Sequence, residues 1–206
     1  MRRHLIAAPL AVALSGAAGA QPLSGAFIGP AIGHMQSGAT VRFAEAGRGA
    51  AGQINDVSGN TILPGLYAGV SRAVPGGVFY GIDVFGFLPA EPYPSTIVQF
   101  AGREYVVSNR AEAGAHLRLG YSVRDDAAIY ATAGVSVASV RYVIDGVGSS
   151  RLLWHPQIGV GAEIALAPRV SLRGDFVFDR TRRDLGPVDV EWQVRWRAST
   201  ALVWRP

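Results

Sequence analysis

The stretch AEAGAHLRLGYSVRDDAAIYATAGVSVASVRY, residues 111–142, alternates apolar and polar side chains on either side of a short polar connection. The apolar face of its first half consists of Ala113, Ala115, Leu117, Leu119, Tyr121 and Val123. The polar or small face consists of Glu112, Gly114, His116, Arg118, Gly120 and Ser122. A period of two is that of a β-strand, and the connection Arg124-Asp125-Asp126-Ala127 is typical of a tight turn because Asp bonds to its own backbone. The stretch therefore predicts a β-hairpin.

Comparable alternation recurs along the chain and predicts eight strands in total. We place them at residues 25–36, 65–74, 78–88, 111–123, 128–142, 152–166, 170–182 and 190–204. The connections at 75–77, 124–127 and 167–169 are short and turn-like, whereas those at 37–64, 89–110, 143–151 and 183–189 are longer. This alternation of short and long connections predicts an all-β fold, an eight-stranded antiparallel transmembrane β-barrel with short periplasmic turns and longer extracellular loops.

The alternation by itself fits two opposite arrangements of the faces. A soluble barrel or sandwich would turn its apolar face inward and leave its polar face in water. The outward aromatic residues favour the membrane arrangement, because Tyr121, Trp192 and Trp204 fall near strand ends, where amphipathic rings prefer the membrane interface. We expect these three residues to lie at the two membrane interfaces.

The N-terminus has the three parts of an export signal. Met1-Arg2-Arg3-His4 is positively charged, residues 5–14 are apolar but too few to span a bilayer as a helix, and Ala18-Gly19-Ala20 is a small-residue cleavage site. The sequence predicts a signal peptide over 1–20 and a barrel domain over 21–206, exported to the outer membrane of a Gram-negative cell. A buried N-terminal helix is the alternative.

Composition excludes several other classes of protein. The chain has no cysteine, so no disulfide framework holds it together. All 19 basic residues are Arg, and removing Arg2 and Arg3 leaves 17 against 15 acidic residues, which is no basis for binding nucleic acid. After the signal there is no uninterrupted apolar window of about 18 residues, so a helical membrane protein is disfavoured.

The inward face of the predicted barrel carries an unusual number of ionisable residues. They are Asp83, Glu112, His116, Arg118, Glu163, Arg173, Asp175, Glu191, Arg195 and Arg197. An eight-stranded barrel is only wide enough to be filled by side chains, and buried charges persist only when paired. We expect a structural polar network, with a gated proton or ion path as the alternative.

Partners for three of the cations can be predicted. Glu163 and Arg173 are equally far from the turn at Pro168 and share a face, which predicts a cross-strand ion pair. For Arg195 and Arg197, Asp83 and Asp175 are the candidate partners.

Four segments resemble successive strands of a known family. AHLRLGY at 115–121, IYATAGV at 129–135, IGVGAE at 158–163 and LRGDFVF at 172–178 are similar to strands of the small outer-membrane β-barrels that include opacity-type surface antigens and OmpA- or OmpX-like domains. The resemblance covers roughly residues 65–204 and implies a monomeric surface protein whose loops contact host molecules, neighbouring cells or lipopolysaccharide. Chains of this family usually end on an aromatic residue, which the outer-membrane assembly machinery reads, but here Arg205-Pro206 follows Trp204.

An enzyme that modifies lipid A is the main rival. Outer-membrane deacylases of that kind place a His and a Ser two residues apart on a lipid-facing strand, and His34, His116 and His155 do not show this spacing. We expect His116 to face inward and His155 to lie at the outer rim in an interfacial role. Scattered His and no Cys give no metal site, and we expect neither catalysis nor a cofactor.

The long connections are the expected site of any specific binding. Loops 37–64 and 89–110 are the places where host or cell-surface ligands could bind, although flexible filler is favoured over a lid or an adhesive surface for the first. The barrel contacts membrane lipid and lipopolysaccharide, and its role is structural or one of surface interaction. Within the second loop, residues 97–100 and 105–107 predict an external hairpin. It could pair with a partner's strand or with its own neighbours, and we favour the latter.

Overall fold

A computed structural model describes residues 23–43, 52–90, 96–100, 103–144, 147–184 and 188–206. The strands are β1 Gly25–Phe43, β2 Gly52–Ala73, β3 Val78–Phe87, β4 Thr96–Phe100, β5 Arg103–Arg124, β6 Ala127–Ile144, β7 Val147–Ala167, β8 Val170–Asp184 and β9 Val188–Trp204. Within these ranges, no helix has the length and apolarity that a membrane crossing requires. The predicted signal peptide over 1–20 lies outside the described residues.

Eight of these strands form a closed antiparallel ring. Its order is β1, β2, β3, β5, β6, β7, β8 and β9, and β9 pairs again with β1. The pairing of β3 with β5, from Val78↔Tyr121 to Phe87↔Glu112, completes the circle. The predicted eight-stranded barrel is confirmed.

The three short connections all lie at one end of the ring, here called the short-turn end. They are the predicted tight turns at 75–77, 124–127 and 167–169. Gly76 and Gly77 have φ of +91° and +85°, which is why glycine is required at this turn. A Cβ on Gly77 would also overlap the ring of Tyr121, so the turn and the neighbouring strand fit together only without a side chain.

At the other end the strands are longer than the sequence predicts, and most of the expected loops are sheet. β1 and β2 stay paired out to Phe43↔Gly52, and β5 and β6 out to Tyr105↔Ile144. The prediction of loops over 37–64, 89–110, 143–151 and 183–189 was therefore wrong in extent. Main-chain hydrogen bonding needs no apolar face, so a sheet can continue after the sequence stops alternating.

The short strand β4 forms the predicted external hairpin. It pairs with β5 from Thr96↔Val107 to Phe100↔Arg103. On its other side this part of β5 pairs with β6. The β5 side of the hairpin thus pairs with its own chain, whereas β4 ends the sheet and its outer edge has no strand partner among the described residues. The choice between a partner's strand and the chain's own neighbours stays open for that edge.

The outward face of the ring is apolar. Exposed large apolar side chains include Ile32, Ile62, Leu66, Ile82, Leu117, Leu119, Ile129, Leu152, Ile158, Val160, Leu172, Phe176 and Leu202. Polar residues that alternate with them, such as Arg118 and Glu163, are buried. This polarity is the opposite of a water-soluble barrel and matches the membrane arrangement.

Candidate functional site

The structure places the predicted inward residues inside the ring. Those with described side chains are Asp83, Glu112, His116, Arg118, Glu163, Arg173, Asp175, Arg195 and Arg197, and all are buried. The side chains of Glu191 and Trp192 lie outside the described part of the structure. Tyr121 and Trp204 face outward near the short-turn end and are 53% and 48% exposed.

Six of the interior charges form one cluster near the short-turn end, here called the lower cluster. Its members are Asp83, Glu163, Asp175, Arg118, Arg173 and Arg205. Asp83 Oδ2 is 2.9 Å from both Arg118 Nε and Arg173 Nη1. Arg173 Nε also donates to Asp175 Oδ2 at 2.7 Å, and Arg118 Nη1 to Glu163 Oε2 at 3.2 Å. Carboxylates and guanidinium groups are equal in number, so the cluster is neutral when all are ionised.

The predicted ion pair between Glu163 and Arg173 is wrong, although the two residues do face each other in register. Glu163 is instead bound by Arg118 and Arg205. Arg173 donates hydrogen bonds to Asp175, two residues along its own strand, and forms an ion pair with Asp83 on the far wall. The lumen is narrow enough for an Arg side chain to cross it, so partners are not limited to the adjacent strand.

Aromatic rings surround the guanidinium groups of the lower cluster. The Arg173 guanidinium lies 4.2 Å from the centroid of Tyr67, and that of Arg118 lies 5.0 Å from Phe27 and 5.2 Å from Tyr130. Tyr130 also donates its hydroxyl to Asp175 at 3.0 Å. Such cation–π contacts gain strength when the cation is removed from water, so the rings help to hold charge that the barrel has desolvated.

A second group of charges, here called the upper cluster, lies further from the short-turn end. It contains Glu112, Asp179, Arg195 and Arg197. Arg195 Nε donates to Asp179 Oδ2 at 2.8 Å, and its Nη2 donates to Glu112 Oε1 at 3.1 Å across the lumen. Arg197 Nη1 is 3.2 Å from the same Glu112 oxygen. The Arg197 guanidinium lies 4.4 Å and 4.6 Å from the centroids of Phe85 and Phe87.

The prediction that Asp83 and Asp175 form ion pairs with Arg195 and Arg197 is therefore wrong. The reason is depth along the barrel. Asp179 is the register partner of Arg195, whereas Asp175 faces Ser199 nearer the short-turn end. Asp83 and Asp175 are already bound by cations of the lower cluster.

Uncharged and imidazole groups connect the two clusters. His116 Nε2 and Gln157 Oε1 are 2.9 Å apart, and Gln157 Nε2 donates to Glu112 Oε1 at 2.9 Å. His116 Nδ1 is 3.6 Å from Asp83 of the lower cluster. The network thus runs through the lumen from one cluster to the other.

His155 is not an interfacial residue at the outer rim, as the sequence suggested. It is buried inside the ring, with Nδ1 3.4 Å from Asp179 Oδ1, while its neighbour Trp154 faces outward. Strict alternation along β7 places His155 on the same face as Gln157. The proximity of a tryptophan was a poorer guide than the period of two.

Arg205 is an interior residue that the sequence prediction missed. Its guanidinium is buried and bonded to Glu163, yet the residue was considered only as an addition after the terminal aromatic residue. The signal was present, because Trp204 faces outward and the next residue along an extended chain faces inward. Asp179 was also missed, although it lies within the strand predicted at 170–182 and on the same face as Asp175.

Ion pairs, hydrogen bonds and ring contacts join the described side chains of the interior. Among the described residues, no group of three or more His, Cys, Asp or Glu side chains is placed to hold a metal ion.

Comparisons with known proteins bear on the fold. No protein-family model matches the chain, and no curated protein sequence matches it. The crystal structure of Neisserial surface protein A (NspA) matches with a TM-score of 0.51 at 15% identity, covering 88% of this chain and 99% of that one. Outer membrane protein OprG from Pseudomonas aeruginosa matches with a TM-score of 0.47 at 11% identity, covering 90% and 99%.

The attachment invasion locus protein Ail of Yersinia pestis matches with a TM-score of 0.42 at 12% identity, covering 86% of this chain and 98% of that one. The likeness to NspA shows that this chain has the fold of the small eight-stranded outer-membrane barrels.

Proposed function

We propose that this protein is an integral outer-membrane barrel without catalytic activity, which interacts with other molecules through the end opposite the short turns. The observation that carries the proposal is the division of the sheet into two parts. One part has an apolar outer face around a filled lumen, and the other continues as strand beyond that face.

The apolar band on β7 is long enough to cross a bilayer. Its outward residues are apolar from Leu152 to Leu166. At about 3.3 Å per residue and a tilt of about 40°, this segment rises about 35 Å along the barrel axis. The hydrocarbon core of a bilayer is about 30 Å thick.

Beyond the band, the environment of β7 changes. Residues 148–151 are exposed on both faces of the strand, so water reaches both sides of the sheet there. We call the strand segments 37–43, 52–60, 96–100, 103–110 and 147–151 the collar. The expected ligand-binding loops 37–64 and 89–110 therefore become largely a hydrogen-bonded collar, and a rigid collar holds a binding surface at less entropic cost than a loose loop.

The proposed partners are the molecules that an outer-membrane barrel with a surface-exposed collar would contact. Membrane lipid and lipopolysaccharide contact the apolar band, the outer-membrane assembly machinery inserts the chain, and host or cell-surface molecules contact the collar of a monomeric barrel. Of the three histidines weighed for lipid A chemistry, His116 and His155 are buried in the lumen, whereas His34 is exposed on the outward face beside Trp196.

Single cysteines test the location and orientation, because the chain has no cysteine of its own. A membrane-impermeant maleimide should label Ser150→Cys in the collar on intact Gram-negative cells. It should label Asp125→Cys in the short turn only after the outer membrane is permeabilised. Val160→Cys in the apolar band should resist the reagent in both conditions and react after the membrane is dissolved.

Two results would contradict the proposal. Labelling of Val160→Cys on intact cells would mean that the apolar face is not in lipid. A mass change of lipid A when the gene is deleted, restored by the gene on a plasmid, would show the rival enzymatic activity.

A further inference from the structure

The two ends of the described chain meet at one residue of β2. Ser71 Oγ donates to the carbonyl oxygen of Leu23 at 2.7 Å, just before β1 begins. The same Ser71 oxygen accepts from Nη2 of Arg205 at 3.3 Å, just after β9 ends. β1 and β9 pair with each other to close the ring, and Ser71 lies on β2 beside that seam. It contacts the residue just before β1 and the residue just after β9, both at the short-turn end.

Arg205 reaches across several strands from its place at the end of β9. Its Nη2 donates to Glu163 Oε1 on β7 at 2.6 Å, and its Nη1 donates to Ser171 Oγ on β8 at 2.7 Å. Its backbone N donates to the carbonyl of Arg169 at 2.8 Å, and its guanidinium lies 5.4 Å from the ring centroid of Phe27 on β1. One side chain thereby contacts β1, β2, β7 and β8.

The N-terminal segment is held in the same mouth of the barrel. Leu23 is buried in a cluster with Phe79, Ala128 and Tyr130. The Oγ of Ser24 accepts from the backbone N of Ala73 at 2.9 Å. Both termini therefore turn into the lumen at the short-turn end.

We infer that Arg205 and the Leu23–Ser24 segment form a latch that holds the β1–β9 seam closed. Arg205 supplies a guanidinium that Glu163 needs in addition to Arg118. The contacts with Ser71 and Phe27 join the end of β9 to β2 and β1 across the seam, so they form only when the ring is closed. Glu163 and Ser171 lie on β7 and β8, on the same side of the seam as β9, and hold the guanidinium in position. The two residues after the terminal aromatic Trp204 thus include a closing element of the barrel.

The test compares Arg205→Ala with Arg124→Ala in the full mature chain, refolded into detergent. Arg124 is a matched control, since it lies at the same end and pairs with Asp126, but that pair is exposed. Folding is followed as the compact band of unheated samples on SDS gels. The temperature at which that band is lost should fall by about 10 °C for Arg205→Ala, as for a broken buried ion pair, and stay nearly unchanged for Arg124→Ala.

A disulfide distinguishes a seam latch from a general loss of stability. Ile32 and Thr200 face each other across the β1–β9 seam, and Ala162 and Gly174 face each other across β7 and β8. In the Arg205→Ala background, a Cys pair at 32 and 200 should raise the temperature at which the compact band is lost back to that of the unsubstituted protein. A Cys pair at 162 and 174 should not. Arg205→Lys keeps the charge but not the fork of donors. The temperature at which its compact band is lost should lie between those of the unsubstituted protein and of Arg205→Ala.

Three outcomes would overturn the inference. The first is an unchanged temperature for Arg205→Ala, and the second is equal rescue by the two disulfides. The third is a failure of Arg205→Ala to fold even when the seam is joined by the 32–200 disulfide.

Discussion

At the scale of single residues, the interior depends on carboxylates that serve more than one cation. Asp83 forms ion pairs with Arg118 and Arg173 through the same carboxylate oxygen, and its side chain is not exposed to solvent. Removing one partner of a buried ion pair leaves the other charge desolvated and uncompensated. For Asp83 this loss falls on two guanidinium groups at once.

Replacement of Asp83 by Asn should therefore destabilise the barrel by about 3 kcal/mol or more. Urea unfolding in detergent, followed by tryptophan fluorescence, measures the free energy of unfolding. The control is Asp126→Asn, which breaks the exposed pair with Arg124 and should cost less than about 1 kcal/mol. Equal losses in the two variants would show that Asp83 gains nothing from its buried partners.

A second residue-scale feature is the space that inward glycines leave for aromatic rings. A Cβ on Gly161 would overlap the Tyr130 ring, which stacks on Phe79 at a centroid distance of 5.6 Å and donates to Asp175. Gly174 lies next to it on β8, faces outward, and has no atom within 4 Å of an added Cβ. The two glycines thus form a matched pair, one that accommodates a ring and one in open space.

Gly161→Ala should lower the free energy of unfolding by about 2 kcal/mol through overpacking. Gly174→Ala should leave it unchanged or raise it slightly, because alanine restricts the unfolded chain. Thermal melting followed by circular dichroism compares them. A larger loss at Gly174 than at Gly161 would contradict the assigned faces of β7 and β8.

At the scale of the element, β7 passes through two environments along one continuous strand. Val160 is in the apolar band, 59% exposed in the isolated chain, and Ser150 is in the collar. β7 pairs with β6 along its length, from Ala127↔Ile164 to Ile144↔Val147, but its described pairing with β8 runs only from Ile158 to Ala167, so Val160 is paired on both sides and Ser150 on one.

Arginine substitutions on β7 should reveal that difference. Val160→Arg should cost about 2–4 kcal/mol in a lipid bilayer, as expected of a charge on the lipid face near the midplane. Ser150→Arg should cost less than about 0.5 kcal/mol, as expected at a solvated surface. Denaturant titrations of the barrel refolded into vesicles measure both, and a loss at Ser150 as large as that at Val160 would contradict the position of the band.

At the scale of the whole molecule, the described part of the lumen holds equal numbers of carboxylates and guanidinium groups in its ion pairs. Asp83, Glu112, Glu163, Asp175 and Asp179 are matched in number by Arg118, Arg173, Arg195, Arg197 and Arg205. Pairs such as Arg173 with Asp83 and Arg195 with Glu112 join opposite walls. An ion crossing the barrel would have to separate several of them in turn.

The purified barrel in planar bilayers should therefore show no discrete single-channel currents. A conducting porin added to the same membrane is the positive control. Stepwise currents from this protein, abolished by Asp83→Asn or Glu112→Gln, would contradict the sealed lumen and favour the ion path that the sequence left open.

The sequence predicts those features of the structure that depend on residues close together along the chain. The hairpin at 111–142, the tight turns, the eight-stranded ring and the inward face of Asp83, Arg118 or Glu163 all follow from local rules. Successive side chains of a strand point to opposite faces, and Gly, Pro and Asp mark where the chain turns. The extent of the collar was missed because pairing continues there without an apolar pattern.

By itself, the sequence determined the eight strands of the ring, the tight turns between them and the face that most of their side chains take, because backbone geometry imposes these residue by residue. The tertiary structure alone decided which charges pair. Closure brings β3 opposite β8 and β5 opposite β9 across a narrow lumen, and the stagger of the strands sets the depth at which they meet. Long guanidinium side chains then bind carboxylates on the far wall, so Glu163 is bound by Arg118 and Arg205 and not by Arg173, its neighbour in register.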